Sequence, residues 1–271
     1  MGPALPSGLG DYPGSVTTPV EELNADASPT PTGALPVGSS ARTSKGFTRS
    51  QWQRLISRQS TVSTKENFIL AVTKGRRVLD IGCIDHSAMQ AGGANWLHAR
   101  IADQASSVVG LDYLESDVAD VRALGFDVRA GDACDFDLGE RFDVVVAGDI
   151  IEHLTNLDGF LNCVRRHLEP SGVLVITTPN PFNIEQMLWA TLRGKVNVND
   201  EHVMWLDPMV MWQLLDREGY SVKEFSWLVT RFRFALPEDT RLLRATNRLA
   251  KLAMRRWPLV RRDFGVVASP R

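Results

Sequence analysis

Between residues 78 and 178 the chain repeats one pattern. A short apolar run ends in an acid or a glycine, and polar sequence follows in which apolar residues recur every three or four positions. The runs are 78–82, 107–112, 126–130, 142–147 and 173–178. Each is of strand length and too continuously apolar to keep one face in water, as in a parallel sheet covered on both sides. Between them, Trp96, Leu97, Ile101 and Ala102 predict a helix within 95–104, and residues 118–124 predict a shorter one. Leu154, Leu157, Phe160, Leu161, Val164 and Leu168 share one face of a helix predicted over 150–168, which Pro170-Ser171-Gly172 ends. Strands alternating with helices predict an α/β fold with a doubly wound, mostly parallel sheet.

The flanks read differently. Residues 1–45 are rich in Pro, Gly, Ser, Thr and Ala without periodicity, so they are expected to form a disordered leader. Over 47–72, Trp52, Leu55, Ile56, Phe68, Ile69 and Leu70 predict one or two helices capping the sheet edge, stopped at Gly75. Residues 220–224 and 225–234 read as two strands that close the sheet in antiparallel fashion. The expected division is therefore a leader at 1–45, a catalytic-scale domain at 46–237 and a basic helix with its tail at 238–271. In that last segment Arg241, Arg244, Arg248, Lys251 and Arg255 share one face, and Leu242, Ala245, Leu249 and Leu252 another. Such a helix suits a homodimer contact, an anionic membrane surface or lipid-linked substrate, or another acidic partner.

Charge and composition narrow the class. The net charge of −2 over 271 residues provides no global field for nucleic acid, although nine Lys/Arg oppose only Asp263 from residue 241 onward. Three scattered cysteines without a Cys-x-x-Cys pair fit neither a disulfide framework nor a zinc knuckle, and a reducing cytoplasm is the expected setting. Neither a secretory signal nor a membrane-spanning run is expected from the sequence.

The chemistry concentrates where the apolar runs end. Asp80, Asp112 and Asp132 close three of them in succession. Ligands of open α/β sheets sit just outside the carboxyl ends of the strands, where an acid can accept hydrogen bonds from ribose hydroxyls. Gly82 lets backbone approach such a ligand closely. A pyrophosphate loop would continue with two more glycines, and here Ile84 and His86 stand instead, which argues against NAD.

Taken together these motifs resemble a known family. Val-Leu-Asp-Ile-Gly-Cys at 78–83, Gly-Leu-Asp at 110–112 and Gly-Asp-Ala at 131–133 are similar to the cofactor motifs of class I S-adenosylmethionine-dependent methyltransferases. Phe-Asp-Val-Val-Val-Ala-Gly-Asp-Ile-Ile-Glu-His-Leu at 142–154 and Thr-Thr-Pro-Asn-Pro at 177–181 resemble the branch containing ubiquinone-biosynthesis O-methyltransferases. Glu201-His202-Val203 and Leu206-Asp207-Pro208 resemble the segment before that branch's next helix. The resemblance covers roughly 65–230 and implies a seven-stranded Rossmann-like sheet with an antiparallel last strand. It implies that S-adenosyl-L-methionine is the cofactor, with backbone contacts at Gly82 and Cys83 and the ribose on Asp112. Tyr113 would lie beside the adenine and Asp132-Ala133 at its edge, with Gly148 and Asp149 near the sulfonium and amino-acid end. The long gap from Asp80 to Asp112 places extra loop around 89–94, and His86 becomes a cofactor or acceptor contact.

Methyl transfer to a hydroxyl needs the proton removed. His153 is the expected base, with Glu152 beside it and Asp149 four residues earlier; the same residues could stabilise a helix start. In ubiquinone-type relatives the corresponding acid-x-x-Glu-His cluster can hold a divalent cation, a role not favoured here. His202, with Glu201 beside it, is the second catalytic candidate, on a polar 197–202 loop expected to close over the acceptor. Trp189, Met204, Trp205, Met209, Met211 and Trp212 could wall an apolar or sugar-stacking pocket or simply pack on the core. The sequence reading is thus methyl transfer to a small-molecule acceptor, with a hydroxyl of a natural-product, sugar or glycan intermediate favoured and nucleic acid not. N- or C-methylation on the same fold, and a catalytically silent cofactor-binding scaffold or regulatory subunit of an active enzyme, are the alternatives.

Overall fold

The computed structural model describes residues 47–58, 62–84, 96–196, 198–229, 252–254 and 256–271. Helix α1 (Arg49–Arg58) and a three-residue strand β1 (Val62–Thr64) precede helix α2 (Lys65–Thr73). Then come β2 (Arg77–Ile81), α3 (Leu97–Ala102), β3 (Ser107–Asp112), α4 (Glu115–Ala123), β4 (Val128–Ala130) and β5 (Phe142–Gly148). Helix α5 (Leu157–His167), β6 (Leu168–Pro179), α6 (Ile184–Arg193), α7 (Pro208–Arg217), β7 (Tyr220–Val229) and β8 (Asp263–Pro270) complete the series.

All eight strands join one sheet in the order β1-β7-β8-β6-β5-β2-β3-β4. The pairs on the β6-to-β4 side are parallel, and β8 runs antiparallel to both β6 and β7. The chain winds outward from β2 to β4 and then resumes at β5 on the other side of β2. A crevice therefore opens at the carboxyl ends of β2 and β5, where the order reverses. Val78, Leu79 and Ile81 of β2 and Val144 to Ala147 of β5 are almost wholly buried because helices cover both faces.

Three expectations need correction. The sheet has eight strands rather than seven, because Val62–Thr64 pairs in parallel with the edge of β7. Three residues carry too little alternation to register as a strand in the sequence. Residues 220–229 form one strand, with its register shifted between Val222 and Glu224, rather than two. The antiparallel partner comes instead from Asp263–Pro270, beyond the basic segment, so the sheet draws on residues assigned to the tail. Third, the helix expected over 150–168 is broken. Ile151–His153 is a single 3-10 turn, Leu154 is extended, and α5 starts after Asn156, whose side chain accepts from the Gly159 amide. Asp149 and His153 are therefore not one helical turn apart. The basic helical positions 241–251 and 255, the leader at 1–45 and the loop at 89–94 lie outside the described residues.

The N-terminal cap is tied to α7 and β7 by two indoles. Trp52 Nε1 donates to the Pro208 carbonyl at 2.9 Å and Trp227 Nε1 to the Ile56 carbonyl at 3.0 Å, while Phe225 packs edge-on against both rings. A fully buried Trp with its one donor satisfied combines large apolar burial with no polar penalty.

Candidate functional site

The crevice is a cleft of about 870 Å³ whose floor is made by the ends of five strands. Ile81 and Gly82 follow β2, Asp112 and Tyr113 close β3, and Gly131 to Ala133 follow β4. Gly148 and Asp149 leave β5, and Pro179 to Pro181 leave β6. Gly82 has φ +72°, and a Cβ there would stand 2.9 Å from the Ile150 side chain, so the turn requires glycine.

Asp112 is 5% exposed and accepts from the Ile84 amide at 2.9 Å and the Leu114 amide at 3.2 Å. Burial pushes its carboxyl above the ordinary aspartate range, and those amides pull it back. The acid thus ties the β2 loop to the β3 exit. Tyr113 is exposed, Asp132 accepts from the Cys134 amide at 2.8 Å, and Ala133 is buried at the cleft wall. Asp80 and Cys83 are not among the residues lining the cleft. Asp80 Oδ2 lies 2.9 Å from Nδ1 of the fully buried His98. The Cys83 carbonyl accepts from Trp96 Nε1 at 2.7 Å, and burial drives the Cys83 thiol strongly upward. Both residues brace the loop from behind. His86 lies outside the described residues.

At the β5 exit Asp149 adopts a left-handed conformation, φ +52°. It is held by Thr177 Oγ1 at 2.7 Å and by Lys65 Nζ at 2.9 Å. Lys65 begins α2 directly after Thr64, whose hydroxyl caps the helix by accepting from the Asn67 amide. Nothing in the local sequence marked Lys65. Its place in the cleft follows from α2 packing across the sheet.

Next along the wall, Glu152 is 1% exposed and accepts from Thr178 Oγ1 at 2.9 Å, while its Oε1 has no hydrogen-bond partner. Burial, followed by the nearby Asp149 carboxylate, pushes Glu152 up to about 8. His153 and His202 face each other edge-on with ring centroids 4.7 Å apart, and Glu201 Oε2 lies 3.9 Å from His153 Nδ1. Burial, then the neighbouring His153, holds His202 below the usual histidine range. The segment around His202 is tied to its neighbours through its backbone. The His202 amide donates to the Asn199 carbonyl, and the Val203 and Met204 amides both donate to the Glu152 carbonyl. One ligand atom each from Glu152, His153 and His202 lie within 4.8 Å of one another, a spacing that a small cation could bridge. Trp189 and Trp205 line the outer cleft, whereas Met211 belongs to the core and Met204, Met209 and Trp212 pack against it. Arg262 and Asp263, at the start of β8, close the rim.

A methyltransferase-domain profile matches residues 45–224. The chain belongs to the methyltransferase-domain family. Among curated relatives it is 33% identical over 154 residues to a probable S-adenosylmethionine-dependent methyltransferase of Mycolicibacterium smegmatis, covering 55% of this chain and 54% of that protein. It is 32% identical over 114 residues to a ubiquinone biosynthesis O-methyltransferase of Azorhizobium caulinodans, covering 40% and 42%. The chain thus spans about half or less of the length of these curated relatives. Among solved structures, a SAM-dependent methyltransferase from Archaeoglobus fulgidus superposes with a TM-score of 0.51 at 18% identity, covering 82% of this chain and 94% of that one. The Haloferax volcanii complex between the Trm112 methyltransferase activator and a putative methyltransferase superposes at 0.53 and 16% identity, covering 76% and 88%. These likenesses bear out the Rossmann-like fold and the family resemblance drawn from the motifs.

Proposed function

We propose that the chain transfers a methyl group from S-adenosyl-L-methionine to a hydroxyl of a small-molecule acceptor. The carrying observation is that the acids ending β3 and β4, the Lys65–Asp149 pair and two facing imidazoles all open on one cleft. The donor set suits the cofactor. Asp112 and Asp132 offer oxygens to a ribose and an adenine edge. Lys65 and Asp149 complement the carboxylate and ammonium of an amino-acid end, and Gly82 and Gly148 leave room for its approach. When bound, S-adenosyl-L-methionine supplies an electrophilic methyl, whose C–S electron pair stays on sulfur as the new C–O bond forms.

The chain's own contribution is placement and proton removal. His153 takes the hydroxyl proton, with the Glu201 carboxylate 3.9 Å from its Nδ1 on the ring's other side. His202, biased toward its neutral form, keeps a second positive charge away from that site. Cys83, Cys134 and Cys163 are all free, which suits a reducing cytoplasmic setting, and no helix among the described residues is long and apolar enough to cross a membrane.

A cation-held acceptor is the second reading, favoured by the spacing of Glu152, His153 and His202. Against it stand the Lys65 ammonium on Asp149 and the raised Glu152 carboxyl, which must lose a proton before it can ligate. The test is release of S-adenosylhomocysteine by the parent, His153→Ala and His202→Ala, with and without EDTA. Loss of turnover by about 100-fold or more in His153→Ala, with cofactor binding kept, supports the base. Full turnover by that variant removes His153 from the mechanism, and abolition by EDTA favours the cation.

A further inference from the structure

The cleft is lined both by a residue carrying a polar atom that the fold leaves unsatisfied and by a partly exposed aromatic residue. Glu152 Oε1 is buried without a hydrogen-bond partner, although its sister oxygen is engaged by Thr178. An unmet buried oxygen is costly, and Glu152 is one of the residues that line the cleft. Trp205 lies three residues beyond His202, lines the cleft and is 38% exposed. The two are held in register, since the Val203 and Met204 amides hang on the Glu152 backbone carbonyl and Asp207 caps the helix that follows. Asn199, whose side-chain oxygen accepts from the Glu201 amide, lies along the same wall.

We propose that the acceptor is a sugar ring bearing adjacent hydroxyls, a deepening that rests on the methyl-transfer reading. Its C–H face stacks on the Trp205 indole. One hydroxyl faces His153, and its neighbour bonds Glu152 Oε1. As the C–O bond forms, the hydroxyl proton passes to His153 and the C–S electron pair remains on sulfur. The surroundings favour this class over a flat apolar ring. Such a ring could stack on Trp205 but would leave Glu152 Oε1 unpaired, and sites built around polar groups reject ligands that cannot satisfy them. A saturated ring with hydroxyls around its edge meets both demands.

The test uses the full chain with S-adenosylhomocysteine bound and the methyl glycosides of glucose, mannose and rhamnose as probes. Saturation-transfer NMR reads ring-proton contact, and methylation from S-adenosyl-L-methionine reads turnover. The expected result is transfer to the sugar protons and methylated glycoside. Trp205→Ala should raise the glycoside KM by about tenfold, with kcat changing less, and Trp205→Phe should restore most of the loss. Calorimetry with S-adenosylhomocysteine and thermal melts keep folding defects apart from lost stacking. Normal S-adenosylhomocysteine binding with no contact to any glycoside overturns the sugar assignment while leaving methyl transfer standing. So does methylation of 3,4-dihydroxybenzoate in place of the sugars, or an unchanged KM in Trp205→Ala. A parent chain that does not bind S-adenosylhomocysteine overturns both readings.

Discussion

Replacing Glu152 by Gln should flatten a pH dependence of stability that the parent carries. The carboxyl is 1% exposed and is pushed up to about 8 from an ordinary 4.5, chiefly by burial and then by Asp149. In the unfolded chain it ionises near its ordinary value. An acid raised in this way contributes stability in full below the unfolded pKa, and that contribution is lost as pH rises toward the folded pKa. Each unit is worth about 1.4 kcal/mol, so from about pH 5 to pH 7.5 this one group should cost the native state about 3 kcal/mol. Glutamine keeps the shape and an oxygen for Thr178 but does not titrate. Urea unfolding of both proteins across that range, without ligand, measures the effect. The stability of Glu152→Gln minus that of the parent should grow by about 1.4 kcal/mol per pH unit and level off above about pH 8. Parallel profiles, or a slope under about 0.3 kcal/mol per unit, would mean that water or rearrangement solvates the ionised carboxylate and that the buried, unpartnered oxygen does not exist in solution.

Further outcomes follow from the same geometry. Gly110→Ala should destabilise by about 1–3 kcal/mol in chemical denaturation, because the new Cβ would stand 2.6 Å from Cys83 Sγ and 2.9 Å from Val128 Cγ2. Asp112→Ala leaves the Ile84 and Leu114 amides without their acceptor, and calorimetry should show S-adenosylhomocysteine binding weakened by about 100-fold or more. Lys65→Met should separate stability from binding. Its ion pair with Asp149 is partly exposed, so stability should change by less than about 1 kcal/mol, while S-adenosylhomocysteine affinity falls by about tenfold or more. Unchanged affinity would remove Lys65 from the cofactor's amino-acid end.

Local order decided which features could be read in advance. Strands β2, β3, β5 and the core of β6 stand out as apolar runs because parallel strands bury both faces, and that burial removes polar residues from a contiguous stretch. The acids and glycines at their ends are legible for a related reason: the strand must stop there and turn toward a ligand. The break between Ile151–His153 and α5 is not legible, since the apolar spacing of a helix continues through Leu154. The Asn156 cap and the donors that Val203 and Met204 send to the Glu152 carbonyl override it.

The sequence by itself determined the α/β class, the winding from 78 to 178, the Asp112 and Gly82 turns, and the family to which they belong. Each of these is written in a few neighbouring residues. Only the tertiary structure decided that Asp80 turns back to His98, that Lys65 reaches Asp149 across 84 residues, and that His202 meets His153. It also inserted β8 from the chain's end between β6 and β7, bringing Arg262 and Asp263 to the cleft. Such pairings depend on which surfaces the sheet order brings together, and no local pattern of polar and apolar residues encodes that order.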